Sequence, residues 1–167
     1  MYSKTRNKTQ QTRIQQAGTM WLAKQQFWLF GTATYRDGTE VSEAEAIRDV
    51  RHYFNTIDKA ILARKDYDEG RRLQRLVFLE TGKQRINTHI HFYIKGTHLK
   101  QYRHIKAAAE THWTQRIAKA HSIVVLDNIE HNNERKGYCW KEFDCLESTV
   151  LLLDCCHLAK PLYSKTA

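Results

Sequence analysis

Two runs rich in apolar and β-branched residues, Leu73 to Thr81 and Asn87 to Lys95, are separated by a connection through Gly82-Lys83-Gln84-Arg85. A link that short leaves two strands room for one arrangement, side by side and antiparallel. Alternation along the second strand sends His89, His91 and Tyr93 to one face and Ile90, Phe92 and Ile94 to the other. Glu80 lies near the end of the first strand, so the hairpin brings a carboxylate toward the start of the histidine strand.

The remaining pattern builds around that hairpin. Phe27 to Tyr35 reads as an earlier strand, closed by the turn Arg36-Asp37-Gly38. Ser42 with Glu45 three residues on forms a capping box. Ile47, Val50, Phe54, Ile57 and Ile61 then trace one apolar stripe of a long helix, with Arg48, Arg51, Lys59 and Arg64 off it as a solvated face. A second helix is expected over Leu99 to Lys119, with Tyr102, Ile105, Ala109, Trp113 and Ile117 on one side. A strand follows over His121 to Leu126, and a third helix begins at His131-Asn132-Asn133 and runs through Tyr138 and Lys141. Thr149 to Cys155 is equally a strand or a buried helix. The order β-α-β-β-α-β-α predicts an α+β domain: a central, mostly antiparallel sheet with helices on one face and an active-site cleft on the other. Residues 1–26 are polar and basic, and the first ~18 are expected to form a flexible arm. Residues 27–167 are expected to form one domain.

The chain of 167 residues carries 27 Lys and Arg against 18 acidic residues, a net charge of +9, which favours a polyanionic partner, nucleic acid first. The four cysteines, Cys139, Cys145, Cys155 and Cys156, show no CxxC spacing, and the apolar run Val150 to Leu153 is too short to span a bilayer. With no signal-peptide pattern at the N-terminus, a soluble, intracellular and reduced protein is expected. A zinc site on Cys155, Cys156, His157 and an upstream cysteine has irregular spacing and is not adopted.

Two imidazoles and one carboxylate, His89, His91 and Glu80, make a partial coordination shell suited to Mn²⁺, Mg²⁺ or Zn²⁺. On a basic, aromatic-rich chain such a set points to phosphodiester chemistry, which also needs a nucleophile. Tyr138 is the candidate, because Lys141 three residues on shares its helical face and favours the phenolate. Tyr93, Tyr102 and Tyr163 are rivals, Tyr93 the nearest because it shares the histidine face.

These motifs, in this order, resemble the HUH endonucleases, specifically the single-tyrosine rolling-circle replication initiators. Phe30-Gly31-Thr32-Ala33-Thr34-Tyr35 loosely resembles their motif I, His89-Ile90-His91 matches motif II with Glu80 as the upstream acidic ligand, and Tyr138-Cys139-Trp140-Lys141-Glu142 resembles motif III in the form found in circular single-stranded DNA viruses. The likeness spans about residues 27–143. It implies metal-dependent, sequence-specific nicking and rejoining of single-stranded DNA at a replication origin. Glu80, His89 and His91 would hold Mn²⁺ or Mg²⁺, Tyr138 would form a 5′-phosphotyrosine link, and Lys141 would assist at the phosphate. Thr32, Thr34, Arg36, Lys95 and Lys136 are the candidate DNA contacts. No GxxxxGK[ST] string is present, so a separate helicase is the expected partner, with no membrane and no small-molecule cofactor. The expected setting is the cytoplasm of a prokaryotic host or the nucleus of a eukaryotic one. Motif I departs from some viral relatives in having Gly31 where they carry a bulky residue. Two rivals stand beside this reading: a single-strand transposase or relaxase of the same superfamily, and a non-catalytic RRM-like module in which Phe92 or Tyr93 stacks bases.

Overall fold

The computed structural model describes residues 3–81, 88–95, 99–126, 139–140 and 149–158. Its elements in chain order are helix α1 (Ser3–Ala23), strand β1 (Leu29–Tyr35), helix α2 (Glu43–Ile61), short helix α3 (Arg64–Asp68), strands β2 (Gln74–Glu80) and β3 (His89–Lys95), helix α4 (Leu99–Arg116), strands β4 (Ala120–Leu126) and β5 (Thr149–Leu151), and a 3₁₀ turn (Leu153–Cys155). The strands form one sheet in the order β4-β1-β3-β2-β5. Every pairing is antiparallel. The expected α+β class with an antiparallel sheet is the architecture seen, and β1 through β4 follow the split β-α-β connection. The histidine strand β3 occupies the middle of the sheet.

Helices α2 and α4 cover one sheet face, as the apolar stripes predict. Ser42 caps α2, its Oγ accepting from the Glu45 N–H at 3.2 Å. Instead of reaching back to complete the box, the Glu45 carboxylate holds Lys119 Nζ at 3.0 Å. Val50, Phe54 and Ile57 are buried, while Ile47 and Ile61 sit at the margin and Tyr53 joins the core beside them. The Tyr53 hydroxyl donates to the Ala109 carbonyl at 3.1 Å, which ties α2 to α4. The Trp113 indole N–H donates to the Thr34 carbonyl at 3.1 Å and ties α4 to β1. Facing these helices are Leu29 and Ala33, Val77 and Leu79, and Ile90, Phe92 and Ile94. Gly31 belongs to the same face, and a β-carbon there would run into the Phe92 ring. A bulky residue in place of Gly31 is therefore excluded by the aromatic that β3 lays across it.

A buried ion pair joins the helix layer to β2. Arg75 Nη1 donates to both Asp58 carboxylate oxygens at 2.8 Å, and the Leu73 N–H adds a third bond to Oδ1 at 3.1 Å. Arg75 Nε donates to the Cys155 carbonyl at 3.0 Å. The Arg75 backbone pairs with His157 through bonds of 2.7 and 3.0 Å. The ambiguous C-terminal segment is thus a short strand, β5, followed by a turn that Arg75 clamps to β2. Cys156 Sγ is engaged there by the Val77 N–H at 3.3 Å, and the His157 backbone bridges to Arg75.

The other sheet face is covered at one end, which the sequence did not suggest. The segment expected to be a flexible arm is helical, and Leu22 near the end of α1 is buried with Phe27, Phe30, Leu76, Phe78, Tyr93 and Cys139 in a second apolar cluster. Gly18 lets α1 approach the Trp140 indole so closely that a β-carbon would collide with it. Among the described residues, no helix is long and apolar enough to cross a membrane.

Candidate functional site

Strand register builds the site from three neighbouring strands. Glu80 lies directly opposite His89 on β3, Thr34 opposite His89 from the β1 side, and Thr32 opposite His91. Cross-strand partners project to the same face, so Thr32, Thr34, Glu80, His89 and His91 share the face away from α2 and α4. The hairpin brings Glu80 to the histidines as expected.

Contacts within this group are short. His91 Nε2 and Glu80 Oε2 are 2.7 Å apart, and His91 Nδ1 and Thr32 Oγ1 are 3.0 Å apart. The His91 ring lies nearly parallel to Phe30, with centroids 5.9 Å apart, and to His89, with centroids 6.2 Å apart. His91 is only 2 % exposed. Glu80 and His89 are half-buried, so the group opens to solvent at their end of the strands. Thr34 Oγ1 is bonded to Ser122 Oγ at 2.8 Å, which links the site to β4. Beyond it Val124 exposes 57 % of its surface on the same face, leaving the sheet uncovered there.

Comparison with family models, with characterised proteins and with solved structures returns no match.

Burial sets aside two of the candidate tyrosines. Tyr93 is 0 % exposed, with Phe27, Phe30 and Phe78 ring centroids 5.9, 5.0 and 6.1 Å away, so its hydroxyl cannot meet a phosphate. Tyr102 is buried on the far side of the sheet, stacked on Trp28 at 4.6 Å. Tyr138, Lys141, Lys136 and Tyr163 lie outside the described residues. Cys139, the covalent neighbour of Tyr138, is helical and buried in the second cluster. Its thiol is pushed well above the usual range by burial, with a hydrogen bond to Tyr93 opposing and the nearby Glu80 charge adding. Trp140, the next residue, stands edge-on to Phe78 at 5.4 Å. The chain on the C-terminal side of Tyr138 is therefore anchored on the histidine face.

Two other expected DNA contacts fall away from the group. Lys95 is at the opposite end of β3, four residues or about 13 Å from His91, with Tyr93 and its cluster between them. Arg36 follows β1 and spends its Nε on the Ala120 carbonyl at 3.1 Å. Thr32 touches a histidine, a contact that only the β1–β3 register reveals.

Among the described residues, no group of three or more His, Cys, Asp and Glu side chains is arranged as a ready cation shell. The donor chemistry nonetheless fits a divalent ion. Two donors on adjacent positions of one Mg²⁺- or Mn²⁺-sized ion stand about 3 Å apart, close to the 2.7 Å between Glu80 and His91. The third donor, His89, is on the same face, directly across from Glu80.

Proposed function

We propose that the protein is a single-stranded DNA nicking and joining endonuclease acting through a covalent tyrosine intermediate. The observation that carries this reading is Glu80 held 2.7 Å from His91 and directly opposite His89, on a half-open sheet face flanked by the chain that leads from Tyr138. His89, His91 and Glu80 would hold a divalent cation, which would neutralise charge at the scissile phosphate. Tyr138 attacks phosphorus through its hydroxyl oxygen, the phosphorus–3′-oxygen bond breaks, and the 3′-oxygen leaves as a hydroxyl. Lys141 offsets the negative charge that builds on the phosphate. Return of a 3′-hydroxyl reverses the exchange and reseals the strand, so no nucleotide cofactor is consumed. Thr34 and the uncovered surface along β4 offer the strand a path across the sheet. The sequence likeness to rolling-circle initiators extends the reading to replication origins, a separate helicase and an intracellular setting.

Burial weighs against the base-stacking alternative. Phe92 faces the helices with no exposed surface, and Tyr93 is enclosed in the second cluster, so neither offers a ring to a base. The deciding experiment incubates the protein with labelled single-stranded DNA and Mn²⁺ and looks for a covalent adduct on a denaturing gel. The adduct should vanish with EDTA and with Tyr138→Phe. An adduct that survives Tyr138→Phe refutes the nucleophile, and no adduct under any metal or sequence condition refutes the activity.

A further inference from the structure

We infer that Thr32 is a positioning residue, its hydroxyl fixing which nitrogen of His91 is presented toward Glu80. The inference rests on the cation site proposed above and concerns how that site is set. His91 has both ring nitrogens committed, Nδ1 to Thr32 Oγ1 at 3.0 Å and Nε2 to Glu80 Oε2 at 2.7 Å. The ring is 2 % exposed and lies parallel to Phe30, so it cannot swing into water and exchange one nitrogen for the other. Thr32 is bound to this geometry by the backbone, being the residue opposite His91 in the β1–β3 ladder.

Proton bookkeeping explains why a hydroxyl stands there. A carboxylate can only accept, so in the cation-free protein Nε2 carries the hydrogen and donates to Glu80. At Nδ1 the Thr32 hydroxyl serves either ring form, donating to a bare nitrogen or accepting from an N–H. A cation held by His91 and Glu80 would need the Nε2 lone pair. An imidazole that ligates through Nε2 carries its hydrogen on Nδ1. Thr32 Oγ1 now accepts, after nothing more than rotation of its hydroxyl hydrogen. A group that only donates or only accepts would favour one of these two states and oppose the other. Partners of this kind orient ligating imidazoles generally, and their loss costs about 10–100-fold in metal affinity.

The test uses the full chain in three forms: wild type, Thr32→Ser and Thr32→Val. Mn²⁺ affinity is measured from the loss of the free-ion electron paramagnetic resonance signal, with thermal melts as the folding control. Thr32→Val should bind Mn²⁺ about tenfold or more weakly, and Thr32→Ser should stay close to wild type. Equal affinity in Thr32→Val, or an equal loss in Thr32→Ser, overturns the inference. Ring ¹⁵N spectra of wild type alone give a second arm that does not depend on any variant folding. They should report hydrogen on Nε2 of His91 without metal and on Nδ1 after Zn²⁺ is added; hydrogen remaining on Nε2 in the zinc-bound protein overturns it. If wild type binds neither Mn²⁺ nor Zn²⁺, the cation site itself is refuted and this role with it. Binding by wild type that Thr32→Val leaves unchanged removes only Thr32's part.

Discussion

Asp58→Ala should cost about 3–5 kcal/mol of folding stability, the range for breaking one side of a buried ion pair. Asp58 is 0 % and Arg75 3 % exposed, so neither can be compensated by solvent. The substitution removes two charge-assisted bonds of 2.8 Å from Arg75 Nη1 and orphans the Leu73 N–H. An unsatisfied buried N–H alone costs about 1–3 kcal/mol, and this overlaps with the penalty for the stranded guanidinium rather than adding to it. Burial already works against the charge on Arg75, and Asp58 is the chief influence holding it on. For a chain of this length the expected fall in melting temperature is roughly 6–20 °C. The assay is urea unfolding followed by circular dichroism, with Asp58→Ala/Arg75→Met as the partner variant. The double variant should regain at least about 1 kcal/mol over Asp58→Ala, because it no longer buries an unpaired charge. A loss below about 1 kcal/mol in Asp58→Ala, or no recovery in the double variant, would refute the reasoning.

Other predictions follow from single contacts. Tyr93→Phe should retain covalent adduct formation, since Tyr93 is enclosed by Phe27, Phe30 and Phe78; loss of the adduct in a folded variant would return Tyr93 to the list of nucleophiles. Gly18→Ala sets a gain of about 1 kcal/mol in helix propensity against a β-carbon driven into Trp140. The rigid indole should win, giving a net loss of stability and a red shift in tryptophan emission, and a stabilised variant would disprove the α1–Trp140 contact. Burial pushes the Cys156 thiol up to about 11 from its ordinary 9. Because the folded-state value is raised, its contribution is fully present below pH 9 and is lost as pH rises toward 11. Melting temperature should therefore fall across that window, less steeply in Cys156→Ala; identical slopes would refute the assignment.

Local pattern carried much of this structure. The parity of β3 alone separates His89 and His91 from Ile90, Phe92 and Ile94, and the short link to β2 alone brings Glu80 near them. Cap and stripe likewise place α2 without knowledge of the rest. What stayed hidden depends on residues far apart in the chain meeting. Thr32 reaches His91 only once β1 is known to pair with β3, and Asp58 looks like an ordinary helix-surface acid until Arg75 arrives from β2. The packing of α1 was invisible because its contact rests on Leu22 and on the absence of a side chain at Gly18, too little to stand out in a polar segment. Gly31 shows the same limit: its reason is the ring of Phe92, 61 positions away in sequence numbering.

The central place of β3 in the order β4-β1-β3-β2-β5 bears on how the protein behaves between encounters with a substrate. Native proteins open in parts, from the edges inward, and the last amides to exchange with solvent are those of the best-flanked strand. Here α1 can lift, the clamped tail can peel from β2, and β4 can fray, each without parting His91 from its neighbours on both sides. The histidine strand should therefore show the slowest hydrogen exchange in the chain. If the sheet admits a nucleic-acid strand as proposed, such breathing motions would leave the imidazoles where they were, so recognition could be loose while the geometry of the site stays fixed.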